Sequence, residues 1–406
     1  MRELDPKIKM QDLLARQIFN VLQGSVTEII RQHCEGAGID MNLRSVMEGN
    51  SLKVSETLLP HFYVICQEVK EKLGFVGNID FYITGDGVVN AYSYCSGDEQ
   101  RPHIIEINSG LFNLLNEEEL KFVIGHEIGH LINNDATISQ LFRFIYPTEE
   151  DKVKVPDFLS KRVQLYGQLA ELGADRYGYM ANENLEACVT AVFKMASGLF
   201  LEKMNVSIDT LMAENSKRLE FFMKGDGVSE GTHPVNPIRI RALELFATAK
   251  TQTGLTRGMN ELIIALQNFI YDDLDAALSD FIASAGIFVS QFGGKSDKNE
   301  EEFIVKQLGA YCLFPHKKLK RIEKGDVAQA FNDSVSKVLE ISPDMRNNML
   351  RYFIDVAFAD GELGDNELNL IYDFGEKLGF PQSEVACAIS IKIREDFSPK
   401  ASGLKL

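Results

Sequence analysis

Apolar positions recur every three or four residues over several long stretches of this 406-residue chain, and each stretch predicts an amphipathic helix. Leu13, Leu14, Ile18, Phe19, Leu22, Val26 and Ile29 define one over residues 8–35. Gly36 to Asn50 reads as a break, and residues 55–73 as a second helix ended by Gly74. The period then changes to two. Ile79, Phe81 and Ile83 alternate as a strand closed by Gly85-Asp86-Gly87, and residues 88–94 and 103–109 read as two more strands. Helical spacing returns after Asn116 and again over 157–181. Residues 144–156, rich in charge with proline, read as a loop that can serve as a flap. Residues 205–237, with Gly225, Gly227 and Gly231, read as a longer connection, either a mobile lid or an ordinary surface loop. From about residue 255 the pattern is helical to the end. The expected class is α+β and mostly helical: residues 1–255 carry a small β-sheet with helices, and residues 256–406 form an all-α domain.

The helix after Asn116 carries the chemistry. Asn116 is a good N-cap, and Glu119 three residues later completes a capping box. Glu117 and Glu118 put negative charge at the positive end of the helix dipole. Leu120, Val123, Ile124, Ile128 and Leu131 give it an apolar side. Gly125 and Gly129 each weaken a helix by roughly 1 kcal/mol relative to Ala. Their presence implies close backbone packing or room for a substrate. The helix should fray at Asn133-Asn134-Asp135.

Residues 126–130 read His-Glu-Ile-Gly-His. His126 and His130 lie one turn apart on one face, where both can ligate one zinc ion (Zn2+) through neutral imidazole nitrogens. Glu127 can then reach a metal-bound water and take its proton. A catalytic zinc site needs a third protein ligand. Of the other histidines (His33, His61, His103, His233 and His316), none follows His130 at short spacing. A carboxylate from a second helix is the alternative. Glu171 and Asp175, four residues apart within 157–181, face one direction. Glu171 is assigned as the third ligand, and Asp175 as the acceptor that orients a ligating histidine.

These blocks together resemble the M48 zinc metallopeptidases, the group of CAAX-prenyl proteases, HtpX and Oma1. Asn90-Ala91-Tyr92-Ser93 is similar to that family's Asn-Ala-Phe-Ala segment. Ile107 to Leu111, Asn116 to Leu120 and His126 to His130 follow in the family's order. So do Glu171-Leu172-Gly173-Ala174-Asp175 and Thr232-His233-Pro234 with Arg239-Ile240. The resemblance spans about residues 50–250 and implies a zincin-type domain. It also implies that His126, His130 and Glu171 are zinc ligands, Glu127 the general base and Asp175 an outer carboxylate. It places His233 near the metal, either assisting the oxyanion or covering zinc in a closed state. Asn90 and Ala91 fall in a segment expected to contact substrate, and Arg239 matches a family arginine, structural or substrate-side. Either of two strands can offer an edge to an extended polypeptide substrate, an unfolded or misfolded protein among the candidates.

Composition narrows the setting. A net charge of −17 argues against nucleic acid and anionic membrane surfaces as partners. Unlike many members of the family, the chain has no transmembrane segment: its longest uncharged run, Phe281 to Gly294, is shorter than the roughly 20 residues a span needs. The mixed-charge start shows no secretory signal. Six scattered cysteines suit reduced thiols, so a cytoplasmic location is expected. Residues 270–395 resemble TerB-like (tellurite-resistance B) domains through Val356 to Glu362 with Asp365 and Glu367. That implies a protein partner for the helical domain. Asp360, Asp365 and Glu367 there read better as capping residues than as cation ligands. The expected function is zinc-dependent endopeptidase; the alternative is a zinc-bound, self-inhibited or proteolytically silent binding protein.

Overall fold

The computed structural model describes residues 4–22, 38–96, 100–146, 157–201, 206–224, 233–293, 298–361 and 363–397. Most of the expected flap at 144–156, the lid glycines and Thr232 lie outside these residues. The chain divides into two compact units, Met1–Ile270 and Tyr271–Leu406. The first therefore runs past residue 255, because the helix Gln252–Ile270 packs within it.

The first unit begins with α1 (Lys9–Leu22) and α2 (Gly38–Asn50), followed by strand β1 (Ser51–Lys53) and α3 (Pro60–Lys72). Strands β2 (Ile79–Thr84), β3 (Ala91–Tyr94) and β4 (His103–Asn108) complete a four-stranded sheet in the order β1-β2-β4-β3. β2 and β4 are parallel, while β1 and β3 are antiparallel to their neighbours at the two edges. One face places Phe81, Ala91, Ile105 and Ile107 in the main core. The other places Tyr82 and Ile104 against Met47 of α2. The break expected at Gly36–Asn50 is thus corrected: from Gly38 on it is helix, fixed by Met47 on the sheet and by Arg44, which donates to Asp80 at 2.7 Å.

Helices cover the core face: α4 (Ser109–Leu114), α5 (Glu117–Asn133), α6 (Ala136–Ile145), α7 (Asp157–Asn182) and α8 (Leu185–Ser197). α9 (Ile208–Met223), α10 (Asn236–Thr248) and α11 (Gln252–Ile270) finish the unit. α9 lies inside the segment expected to be connection; Ser207 caps it by accepting from Thr210 N.

The second unit is all helical. Around α12 (Asp273–Gly293) pack α13 (Lys298–Leu308), α14 (Pro315–Glu323), α15 (Val327–Ile341), α16 (Arg346–Ala357), α17 (Asp365–Lys377) and α18 (Gln382–Phe397). Most of the uncharged run from Phe281 to Val289 is buried core of α12, while Phe292 is exposed. Phe281, Phe331, Phe353 and Phe374 form an aromatic cluster, with Phe353 and Phe374 stacked at 4.5 Å. Glu367 accepts from Gly364 N at 2.7 Å, so it caps α17. Among the described residues no helix is long and apolar enough to cross a membrane.

Candidate metal centre

The helix that carries both histidines is fixed at each end. At its start Asn116 accepts from Glu119 N at 3.0 Å and Glu119 accepts from Asn116 N at 2.8 Å, the reciprocal capping box. The buried Glu119 carboxylate also takes the Lys194 ammonium at 3.0 Å and the Thr190 hydroxyl at 2.8 Å, which ties α5 to α8. At the other end Asn134 adopts a left-handed φ of 55°. The chain turns there, and Asp135 comes back beneath His130. α5 and α7 cross in close contact. A Cβ on Gly125 would sit 2.5 Å from that of Ala181, and one on Gly129 would sit 2.9 Å from that of Tyr177. Both glycines therefore serve backbone packing rather than substrate room. That closeness sets Glu171 opposite the two histidines.

Three side chains meet at one point. His126 Nε2 and His130 Nε2 are 3.1 Å apart. Glu171 Oε2 is 3.4 Å from the first and Glu171 Oε1 3.6 Å from the second. Ligands of a tetrahedral zinc at its usual bond lengths lie roughly 3.3 Å apart. Among the described residues these three form the one group of His, Cys, Asp and Glu side chains close enough to hold a metal ion.

Carboxylates behind the rings decide which nitrogen faces the site. His126 Nδ1 donates to Asp175 Oδ1 at 2.9 Å, and His130 Nδ1 to Asp135 Oδ2 at 2.9 Å. With Nδ1–H so committed, each neutral ring turns its Nε2 lone pair inward. Two lone pairs at 3.1 Å repel unless a proton or cation lies between them. Glu171 Oε2 is buried with no hydrogen-bond partner. The donor set therefore fits a divalent cation. Burial works against protonation of His126, but Asp175 and Glu171 outweigh it and raise the imidazole to about 10. Burial likewise opposes ionisation of Glu171, yet His126, His130 and His233 hold its carboxyl well below the usual range.

The remaining expected residues fall around this group. Glu127 is buried on the same helix and lines the cleft. His233 stands just before α10, largely exposed, with Nε2 3.4 Å from Glu171 Oε2 but outside the three-residue group. Of the two roles expected of Arg239, structural or substrate-side, its contacts match the structural one, although it also lines the cleft. Its Nε and Nη2 grip Asp175 at 2.9 and 2.6 Å, and it is buried. This fork consumes the planar donor pair and fixes the carboxylate behind His126. Asn90 accepts from Ala91 N at 3.0 Å, and its carbonyl accepts from Asn108 N at 3.1 Å. Asn90 and Ala91 thus open the edge strand β3, which lines the cleft. The cleft encloses about 690 Å³; Phe122, Val192 and Met195 form an apolar part, and Ser139, Ser160 and Gln164 add uncharged polar groups.

Sequence reading missed Asp135 and the two residues that hold it. Gln11 Nε2 of α1 donates to Asp135 Oδ1, and the Tyr166 hydroxyl donates to the same oxygen at 3.4 Å. The available signal was an acidic residue five positions after the second histidine, hidden in an Asn-Asn-Asp run that reads as a helix end.

Residues 65–148 match the model of peptidase family M48. The chain is 23% identical over 225 residues to the plastoglobule-localized metallopeptidase 48 of Arabidopsis thaliana, covering 52% of this chain and 64% of that one. It is 32% identical over 92 residues to a protease HtpX homolog of Ralstonia nicotianae (23% of this chain, 31% of the relative). To one of Streptococcus gordonii it is 36% identical over 100 residues (24% and 32%). The chain thus spans less than two thirds of the length of these relatives. No solved structure matches it.

Proposed function

We propose that this chain is a zinc-dependent metalloendopeptidase in which His126, His130 and Glu171 hold the ion and Glu127 is the general base. The observation that carries this reading is the convergence of two inward imidazole lone pairs and an unpartnered buried carboxylate oxygen at tetrahedral spacing. Bound zinc supplies an acidified water and a Lewis acid for the scissile carbonyl. Glu127 takes the water's proton and delivers it to the leaving amine. His233, beside Glu171 at the cleft, donates to the oxyanion, a contribution of about 3 kcal/mol for one donor. Asp175, gripped by Arg239, and Asp135 keep the two imidazoles aimed. The outer edge of β3 pairs with an extended polypeptide, and the apolar part of the cleft at Phe122, Val192 and Met195 favours apolar segments such as unfolded proteins expose. The helical second unit is read as a TerB-like adaptor for a protein partner.

The test is incubation of the zinc-loaded chain with an unfolded protein, with fragments read by mass spectrometry and Glu127→Gln in parallel. Fragments from the wild type alone support the reading. Fragments from neither, with zinc bound, overturn it in favour of a covered or silent site. The nearness of His233 to Glu171 gives the covered reading its footing, and a rise in activity on His233→Ala would select it.

A further inference from the structure

We propose a second ligand site on the first unit, a cavity that takes a small carboxylate with a short apolar tail against Arg176. Arg176 follows Asp175 on α7 but points away from the metal centre, into a cavity of about 200 Å³ between the N-terminal segment and α11. It is 2% exposed. Its Nη1 donates to the Pro6 carbonyl at 3.2 Å, its guanidinium lies 5.3 Å from the Phe246 ring centre, and its Nε has no acceptor. Among the described residues no carboxylate lies within ion-pair distance of it. A carbonyl and an aromatic face compensate a buried cation only in part, and burial of such a charge without an anion is strongly unfavourable.

The neighbouring Asp5 favours the Arg176 charge through space but makes no ion pair with it. Its carboxylate accepts from Lys7 N at 2.9 Å and its own N–H donates to Gln252 at 3.2 Å. The rest of the wall is chiefly apolar, with Ile8, Leu13, Leu255, Met259 and Ile263 facing the space. Guanidinium at one end and aliphatic groups around it match an amphiphilic anion, since a carboxylate receives the Nε–H and the tail covers apolar surface. The volume equals that of roughly seven waters and sets the tail at about four to six carbons.

The experiment is calorimetric titration of the full-length, zinc-loaded protein with hexanoate, with hexanol and chloride as controls and the unfolding temperature as a second readout. Saturable hexanoate binding with a rise in unfolding temperature, and neither effect from the controls, is the expected result. Arg176→Met, which keeps length and apolar character, should weaken hexanoate roughly tenfold or more. Arg176→Lys keeps the charge without the fork and separates a folding defect from loss of the site. Asp5→Asn should leave hexanoate binding unchanged. No binding to the wild type, equal binding by hexanol, or undiminished binding to a folded Arg176→Met overturns the proposal. So does the absence of a hexanoate effect together with equal destabilisation by Asp5→Asn and Arg176→Met, which would make Asp5 the counter-ion.

Discussion

Each inward-facing nitrogen at the candidate metal centre is set by an atom it does not touch. Asp135 and Asp175 accept the two Nδ1 protons and so aim the opposite lone pairs. Asp135→Asn and Asp175→Asn should each weaken zinc roughly 10–100-fold, measured by competition with a chromogenic chelator. Unchanged affinity in Asp135→Asn would remove it from the support of His130. Without a cation, Asp175 and Glu171 favour the protonated form of His126, raising it to about 10, and zinc would have to displace such a proton because both need the same lone pair. Zinc added to the apoprotein at pH 7.5 should therefore release about one proton, seen with an indicator in weak buffer or as a buffer-dependent binding enthalpy. At this scale the sequence was legible where placement follows spacing along one helix, as for His126 and His130, or for Glu171 and Asp175. It was illegible where a partner comes from afar: Gln11 reaches Asp135 across 124 positions, and no local pattern encodes that.

Among the elements, α5 was readable because its determinants are local, the capping box at Asn116 and a continuous apolar stripe. α2 and α9 were not. Gly38, Gly49 and polar residues in α2, and polar residues in α9 beside the downstream glycines, suggest irregular chain, and tertiary contacts prevail over propensity: Met47 against the sheet in one, Asn215 donating to the Pro237 carbonyl in the other. The crossing of α5 with α7 gives a sharp test. Gly129→Ala gains helix propensity but drives a methyl into Tyr177 and the Ala174 backbone. Overpacking should dominate, with a net loss of about 1–3 kcal/mol in urea unfolding. A stabilised variant would mean that the two helices can separate at no cost.

Among the described residues each unit has its own large core, one around the sheet and α5, the other around the phenylalanines of α12, α15, α16 and α17. Phe353→Ala should cost the second unit about 3–5 kcal/mol while zinc affinity stays at the wild-type value, a split visible in calorimetry beside a chelator titration. The two-part organisation was evident from the change in patterning near residue 255, but the extra helix belonging to the first unit was not, since its apolar stripe resembles those that follow. The clamp of Arg239 on Asp175 has a consequence for the order of biosynthesis. Both histidines, Glu127 and Glu171 leave the ribosome well before residue 239 does. Asp175 and His126 gain their fixed geometry only after α10 has emerged and folded back. On the proposed function, a nascent chain halted before that helix would carry every proposed ligand yet lack the brace that aligns them, so hydrolytic competence would arrive late in synthesis, after α10 has emerged.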